Sequence, residues 1–340
     1  MKTDLVNEIM NRLNYLSPLR GNLVIDGDVH LSDIDAIANE DLKLKAKSND
    51  YYQGKPISIG DALANMEMAG VDMCLVWQNP SVTSYNDSKD FNFSSLLKAN
   101  EYIYKAVSNY PNRFIPGGWV DPKATDMELT RQLIKICVEE FGFPIIKINP
   151  AQNQFMIDSD VVFKVVEEIY AYGAIPAFHF GADTPYTPVE GLEKVVDYAR
   201  ERPVIAIHMG GGGASYIEAD ETYTKARALG LRYPNLKYVL SAKRDTHIES
   251  DLISYQAKGA PFSHNLMCAS DAPYGNMSWN FGGYRALFKS LKYSDLHCDE
   301  RVRQGSAVFD DQSVANYMGG NMARLAMEGY HSILRMNGKS

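Results

Sequence analysis

A carboxylate and an imidazole stand two residues apart at the end of the first strongly apolar segment of the chain. Asp28 and His30 close the segment 24–31, which begins as an apolar run typical of a β-strand. Side chains two positions apart on an extended strand point to the same side. A carboxylate beside an imidazole at a strand end is typical of a metal site. The pair therefore predicts a metal site, provided that other segments supply further ligands.

The segments that would position those ligands are seven more short apolar runs, most of them separated by stretches with helical spacing. With 23–30 as the first, the predicted strands are 72–77, 114–120, 144–149, 175–180, 204–209, 236–240 and 265–270. Nearly continuous apolar strands that alternate with amphipathic helices indicate a parallel sheet covered by helices. Eight such units in about 250 residues predict an α/β fold of the closed (β/α)8 TIM-barrel type. A doubly wound open sheet is the structural alternative.

The chain divides into an N-terminal helical extension, 1–21, and a single barrel domain, 22–330. Helical spacing of apolar residues predicts the extension, and Pro18 and Gly21 stop that pattern. The polar excursion 32–58 after the first strand is predicted to be a loop or lid, because excursions of this length are usually functional. No shift in composition marks a further domain boundary.

Composition and charge exclude several classes of function. The 340 residues are 45% hydrophobic and 22% charged, and the net charge is −8 with no basic block, which argues against nucleic-acid binding. The longest apolar runs are too short to span a bilayer, and the N-terminus has no signal-peptide pattern. The four cysteines form no CxxC pair and are expected to be reduced thiols. We therefore expect a cytoplasmic protein with a small-molecule partner and no membrane or nucleic-acid partner.

Polar residues gather where the predicted strands end, and in a barrel of this type those ends form the active site. Three of the seven histidines close apolar strands, and an aspartate follows the eighth strand. These residues are His30, His179, His208 and Asp271. A single histidine in such a place is more often a hydrogen-bonded structural residue, and an aspartate before a turn has simple explanations. Their coincidence at the same end of four strands favours a shared metal site.

A series of motifs spread over residues 22–327 resembles the amidohydrolase superfamily. Within it the chain is similar to the amidohydrolase-2 branch, which includes aminocarboxymuconate-semialdehyde decarboxylase and related aromatic-acid decarboxylases. The motifs are Ala69-Gly70-Val71-Asp72, Tyr110-Pro111-Asn112-Arg113-Phe114, Asp121-Pro122, His208-Met209-Gly210-Gly211, Tyr233-Pro234-Asn235-Leu236, Ser270-Asp271-Ala272-Pro273 and Gly320-Asn321-Met322-Ala323-Arg324-Leu325. Their order and spacing carry the resemblance, which implies a TIM barrel and a metal-dependent enzyme.

The resemblance also implies roles for individual residues. Asp28, His30, His179 and Asp271 would bind one divalent metal ion, with His208 as the nearby acid/base residue. Asp28 stands where the strand-1 motif usually has histidine, and some decarboxylases of the branch have an acidic residue there. Two carboxylates and two imidazoles suit Zn²⁺, which we expect, or Mn²⁺. Asp271 would accept a proton from water activated by the metal.

Three further residues are predicted to bind substrate. Lys147 in the fourth strand is expected to be a substrate-facing or structural amine, since the resemblance favours one metal over a pair bridged by a carbamylated lysine. Arg244 would clamp a substrate carboxylate, with a loop salt bridge as the alternative. Tyr51 is predicted to be a pocket aromatic, with ordinary packing as the alternative.

Two reactions fit this site. Hydrolysis of a small lactone, ester or amide is placed first, because it needs only a metal, water and a base. Nonoxidative decarboxylation of an unsaturated or aromatic carboxylic acid is the alternative. Remoter readings are a non-catalytic ligand-binding barrel and a nucleotide-binding open sheet that uses Gly210–Gly213. A homodimer is expected from the resemblance and the additional N-terminal helix.

Overall fold

Eight parallel strands form one sheet in the order of the sequence, and the sheet closes into a barrel. The computed structural model describes residues 3–14, 23–212, 219–243 and 245–338. The strands are β1 (Ile25–Leu31), β2 (Met73–Gln78), β3 (Phe114–Val120), β4 (Ile145–Ile148), β5 (Ile175–Gly181), β6 (Val204–Gly210), β7 (Leu236–Leu240) and β8 (Leu266–Cys268). The backbone N–H of His30 donates to the carbonyl of Ala272 at 2.7 Å and joins β1 to the segment that follows β8. The predicted TIM barrel is confirmed, and the open-sheet alternative is wrong.

Helices cover the outside of the barrel. They are α1 (Thr3–Leu13), α2 (Glu40–Lys47), α3 (Ile59–Ala69), α4 (Lys89–Asn109), α5 (Met127–Lys135), α6 (Pro150–Asn153), α7 (Asp160–Ala171), α8 (Val189–Ala199), α9 (Ala219–Gly230), α10 (Asp245–Lys258), α11 (Met277–Lys292), α12 (Glu300–Arg303), α13 (Asp311–Ala315) and α14 (Asn321–Asn337). Single π-helical turns, Ile136–Glu140 and Asn316–Gly320, extend α5 and precede α14. Among the residues described, no helix is both long enough and apolar enough to cross a membrane.

Burial on both faces explains why the strands read as continuous apolar runs. Nearly every strand residue is buried, because one face fills the barrel and the other lies beneath the helices. The strand bounds agree with the prediction to within a few residues. The clearest difference is β8, which ends at Cys268 instead of 270. The N–H of Ser270 donates to Oδ1 of Asp26 at 2.9 Å, so this backbone group binds a carboxylate and does not pair with a neighbouring strand.

The local sequence fixes the bounds of α3. Ser58 caps its first turn, and a reciprocal hydrogen bond with Asp61 completes a capping box. Gly70 ends the helix with φ of 60°, a left-handed conformation that glycine adopts without a steric penalty. The residues at both ends of α3 therefore account for its bounds.

The two segments outside the regular barrel pattern have structure of their own. Helix α1 packs on α14 and buries Val6, Ile9 and Leu13. The end of the predicted extension, at 21, lies outside the described residues. The segment 32–58 is not wholly a loop, because it contains α2.

The segment 32–58 also returns to the mouth of the barrel. The N–H of Ser32 donates to the carbonyl of Ile57 at 2.8 Å, and the N–H of Gly54 donates to the carbonyl of Pro273 at 3.0 Å. Pro273 lies two residues after Asp271, so the end of the segment is fixed beside the candidate site.

Candidate active site

Three of the predicted ligands lie together at the carboxyl ends of β1 and β8. Asp28, His30 and Asp271 each offer a donor atom within 4.8 Å of the others. Nε2 of His30 is 3.5 Å from Oδ1 of Asp28 and 3.7 Å from Oδ1 of Asp271. Asp28 and His30 are buried, whereas the side chain of Asp271 is 13% exposed. The cluster can therefore be reached from the cavity on the side of Asp271.

A backbone hydrogen bond fixes the orientation of His30. Nδ1 of the ring lies 2.8 Å from the carbonyl oxygen of Gln78, which can only accept. Nδ1 therefore carries the proton, and the lone pair on Nε2 faces the two carboxylates. Burial, and then the charge of Lys147, lowers the pKa of His30 to about 4. The neutral ring is the form that binds a metal ion.

The two carboxylates also fit a divalent cation. Burial raises the pKa of Asp271 well above its ordinary value, and the nearby charge of Asp28 raises it further. Burial alone would raise the pKa of Asp28 as well, but Lys147 and two histidines hold it well below its ordinary range. Carboxylates this close in a buried site repel each other unless a proton or a cation lies between them. The donor set thus suits one divalent ion.

Asp28 accepts hydrogen bonds from three side chains of the barrel interior. Nε1 of Trp77 donates to Oδ1 at 2.9 Å, and the ammonium of Lys147 donates to the same oxygen at 3.4 Å. Oγ of Ser241 donates to Oδ2 at 3.0 Å. Gly117 makes the position of Trp77 feasible, because a Cβ there would lie 2.1 Å from Cε3 of the indole. These contacts hold Asp28 ionised and fix its orientation.

Lys147 is a buried ammonium between two indoles. Its Nζ lies 5.0 Å from the ring centroid of Trp77 and 5.1 Å from that of Trp119. Cation–π contacts of this kind are favourable, as is the attraction between the ammonium and Asp28. Lys147 also lines the cavity. The structure thus places it where it neutralises Asp28 and borders the space for substrate.

His208 is linked to Asp28 through Ser241. Nδ1 of His208 lies 2.8 Å from Oγ of Ser241, which donates its own proton to Asp28. Ser241 must therefore accept from Nδ1–H, which leaves Nε2 as the acceptor nitrogen of the ring. Burial, and then the neighbouring His179, lowers the pKa of His208 to about 3. His208 is therefore a neutral imidazole at neutral pH.

His179 lines the same cavity but lies outside the three-residue cluster. Its Nε2 is 3.1 and 3.2 Å from the two carboxylate oxygens of Asp183. Its ring is 4.8 Å from that of His208 in an edge-on arrangement. The fourth predicted ligand therefore has a carboxylate partner of its own.

Left-handed backbone conformations occur at three strand ends around the cavity. The φ angles are 75° at His208, 47° at Met209, 50° at Ala242 and 59° at Asp271. Such conformations cost non-glycine residues about 1–3 kcal/mol each and are frequent at functional sites. The left-handed residues lie around the cavity, as expected for a site whose geometry the surrounding barrel imposes.

The cavity has a volume of about 870 Å³, and its surface is polar and apolar in nearly equal parts. Its lining includes the five predicted residues His30, Lys147, His179, His208 and Asp271. Tyr274 adds an aromatic wall, with its ring 5.7 Å from that of His30. The hydroxyl of Tyr274 donates to Oδ1 of Asn79 at 2.7 Å, and burial raises its pKa to about 12. The space suits a small polar molecule.

Of the two other residues predicted to bind substrate, the structure describes one, and that residue does not line the cavity. Tyr51 is 72% exposed and does not line it, whereas Gln53, two residues later, does. No strand or helix positions Tyr51, so its aromatic character alone was a poor guide. Arg244 lies outside the described residues.

The predicted site residues did not include Ser241, Asp183 or Trp119. Ser241 directly follows β7, and the position at a strand end was the available signal. Asp183 lies in the loop after β5, four residues beyond His179, where an aspartate is also ordinary turn chemistry. Trp119 lies inside β3 and reads as core.

Comparisons with known proteins agree with this architecture. A family model for amidohydrolases matches residues 25–325. A comparison with curated proteins finds no match. Among solved structures, 5-carboxyvanillate decarboxylase from Sphingomonas paucimobilis is similar, with a TM-score of 0.61 at 17% identity over 90% of this chain and 99% of that one.

Two further solved structures share the fold. A dihydroxybenzoic acid decarboxylase from Polaromonas sp. JS666, with bound manganese and the inhibitor 2-nitroresorcinol, has a TM-score of 0.60 at 12% identity, covering 90% of this chain and 97% of that one. 4-Oxalomesaconate hydratase from Rhodopseudomonas palustris has a TM-score of 0.58 at 14% identity, covering 93% and 99%. At these identities the likeness shows the shared barrel.

Proposed function

The chain belongs to the amidohydrolase family, and from that premise we propose that it is a metal-dependent decarboxylase of a small unsaturated or aromatic carboxylic acid. The observation that carries the proposal is the position of Asp271. Its carboxyl group belongs to the donor cluster, lies 3.7 Å from His30, and also lines the cavity. A substrate held at the cluster would therefore present its reacting carbon to an acid.

The names of the structural neighbours support the same reaction class. Two of the three reported above are decarboxylases, and the third is a hydratase. Hydrolysis, which the sequence analysis placed first, has no counterpart among these three names. Decarboxylation therefore takes the first place here.

The metal would be held by Asp28, His30 and Asp271, with His179 as the proposed fourth ligand. When bound, it would supply a positive charge that orients the substrate and stabilises negative charge developing on its oxygen atoms. The oxygen-rich donor set favours Mn²⁺, and the Polaromonas neighbour contains manganese. Zn²⁺ is the alternative ion.

In the proposed reaction, Asp271 transfers a proton from its carboxyl oxygen to the carbon that bears the substrate carboxylate. The carbon–carbon bond then breaks, its electron pair returns to the unsaturated system, and CO₂ leaves. A proton from solvent restores Asp271. The neutral His208 accepts a hydrogen bond at Nε2 from a substrate hydroxyl group, because its ring proton is on Nδ1, where it is donated to Oγ of Ser241.

Hydrolysis is the second candidate because the same carboxylate can work in the opposite direction. An ionised Asp271, as a member of the donor cluster, would take a proton from an attacking water molecule. The two reactions use the same residues in different protonation states, so their products must be measured separately.

A panel of metal-loaded assays tests the proposal. The protein is incubated with Mn²⁺ or Zn²⁺ and with hydroxybenzoates that include 2,6-dihydroxybenzoate and 5-carboxyvanillate, and separately with aryl lactones. We expect CO₂ release from at least one carboxylic acid, with deuterium from D₂O on the carbon that lost the carboxylate. The variant Asp271→Asn should lose this activity. Turnover of lactones without CO₂ release from any acid would instead establish the hydrolase.

A further inference from the structure

Asp183 lies within hydrogen-bond distance of His179. Nε2 of the ring lies 3.1 Å from one carboxylate oxygen and 3.2 Å from the other. The side chain of His179 is 14% exposed and that of Asp183 is 34% exposed, so the pair lies at the edge of the cavity. A carboxylate this close constrains where the ring proton can be.

Two glycines provide the space that the Asp183 carboxylate occupies. A Cβ at Gly181 would lie 2.3 Å from Oδ1 of Asp183, which is too close for any other residue. Gly212, with φ of 87°, lies on another side of the same carboxylate, where a Cβ would be 3.5 Å from its Cγ. The backbone of two strand ends is thus shaped around this one side chain.

The loop that carries Asp183 is tied to the end of β5 by one hydrogen bond and to the segment after β6 by another. Oγ1 of Thr187, a buried residue, donates to the carbonyl of Gly181 at 3.1 Å. The N–H of Ala182 donates to the carbonyl of Gly211 at 3.0 Å. These bonds close the turn on each side of Asp183, so its carboxylate is held against His179 by the fold.

An ionised carboxylate can only accept hydrogen bonds. If Nε2 of His179 held a lone pair, three electron-rich atoms would face one another within 3.2 Å. The contact is attractive only when Nε2 carries the proton. In the neutral ring with its proton on Nε2, Nδ1 holds the lone pair and is the one nitrogen of His179 that can bind a metal ion.

We propose that Asp183 is a positioning residue that fixes His179 as the Nε2–H tautomer, so that His179 joins the metal site through Nδ1. The proposal deepens the proposed function and rests on it for the metal ion. It assigns Asp183 no direct contact with substrate. A carboxylate that orients a ligand histidine typically changes metal affinity by about 10–100-fold.

The test measures the tautomer and the metal affinity independently of turnover. In metal-free protein labelled with ¹⁵N-histidine, the His179 signals are assigned by their loss in His179→Gln. We expect the wild type to show a protonated Nε2 and an unprotonated Nδ1. In Asp183→Asn, whose amide can also donate to Nε2, the Nδ1–H tautomer should appear, and Mn²⁺ affinity in a competition titration should fall about 10–100-fold.

Asp87→Asn is the matched control, since Asp87 is an exposed loop aspartate that does not line the cavity. It should leave both readouts unchanged. A wild-type His179 that carries a proton on Nδ1 would overturn the proposal even if Asp183→Asn fails to fold. Unchanged Mn²⁺ affinity in folded Asp183→Asn would also overturn it. Absence of CO₂ release with both readouts as expected would count against the decarboxylase alone.

Discussion

The ammonium of Lys147 lies 3.4 Å from Oδ1 of Asp28, deep inside the barrel. Side-chain exposure is 1% for the lysine and 0% for the aspartate, so water screens this ion pair very little. Lys147 is therefore the principal counter-ion of Asp28 in the metal-free protein. A bound metal ion would take over part of that role, which links the stability of the fold to the occupancy of the site.

Lys147→Met tests this link. The change leaves Asp28 as a buried carboxylate without its cation, and breaking a buried pair in this way costs about 3–5 kcal/mol. We expect a large loss in the free energy of unfolding of metal-free protein, measured by urea denaturation. Saturating Mn²⁺ should restore more stability to the variant than it adds to the wild type.

Lys164→Met is the control for Lys147→Met, because Lys164 is exposed on α7. Its unfolding free energy should stay within about 0.5 kcal/mol of the wild type, as is usual for surface substitutions. An equal response of both variants to Mn²⁺ would contradict the role of Lys147 as counter-ion of Asp28.

The link between His208 and Asp28 through Ser241 predicts graded losses of activity. His208→Gln removes the imidazole Nε2 proposed to accept from a substrate hydroxyl group, so kcat should fall by roughly 100-fold, the upper range for loss of one buried hydrogen bond. Ser241→Ala keeps the imidazole but loses its proton acceptor, so we expect a smaller loss, on the order of tenfold. Metal content by mass spectrometry should be unchanged in both. Full turnover in His208→Gln would show that the imidazole is not used.

Asp121 makes the stability of the protein depend on pH. It is buried after β3 and accepts from the N–H groups of Lys123 and Ala124, both at 3.0 Å. Burial raises its pKa from 3.8 to about 6. Folding therefore favours the protonated form, and the stability that Asp121 contributes is present below about pH 4 and is lost as the pH rises through 6.

Asp121→Asn should remove this dependence while retaining an acceptor for both N–H groups. Relative to the wild type, the variant should gain up to about 3 kcal/mol in unfolding free energy between pH 4 and pH 7. Urea denaturation at four pH values in that interval measures the gain. Asp87→Asn serves as the exposed control, and a gain of the same size there would refute the assignment to Asp121.

Tyr274 and Tyr51 are expected to respond differently to removal of the hydroxyl group. Tyr274→Phe loses the hydrogen bond to Asn79, which anchors a ring that packs edge-on against His30. We expect KM or kcat to change about 5- to 20-fold, the range for one partly buried hydrogen bond. Tyr51→Phe should change neither constant more than twofold, because Tyr51 is 72% exposed. Similar effects for both would place Tyr51 at the cavity after all.

The barrel could be predicted from the sequence because each strand is a contiguous apolar run with a helix on either side. The ends of those strands also located Asp28, His30 and Asp271, which the fold brings together across more than 240 residues. In each case the prediction rests on neighbouring residues, namely an apolar run, the end of that run and the polar residue that follows it.

The partners of these residues could not be predicted in the same way. Ser241 reaches Asp28 across 213 residues of sequence, and a serine at a strand end has no distinctive pattern. Asp183 acts through a loop whose shape depends on two glycines and a threonine. Tyr51 was chosen by residue type, without an element to position it. The homodimer and the cytoplasmic location stay predictions.

The central claim, that Asp28, His30 and Asp271 hold one divalent ion, is tested most directly by anomalous diffraction from crystals grown with Mn²⁺. We expect a single strong anomalous peak per chain, from an ion bound by carboxylate oxygens of Asp28 and Asp271 and by Nε2 of His30. The absence of an anomalous peak among these three side chains would contradict the claim, whether or not Mn²⁺ occupies another position in the crystal.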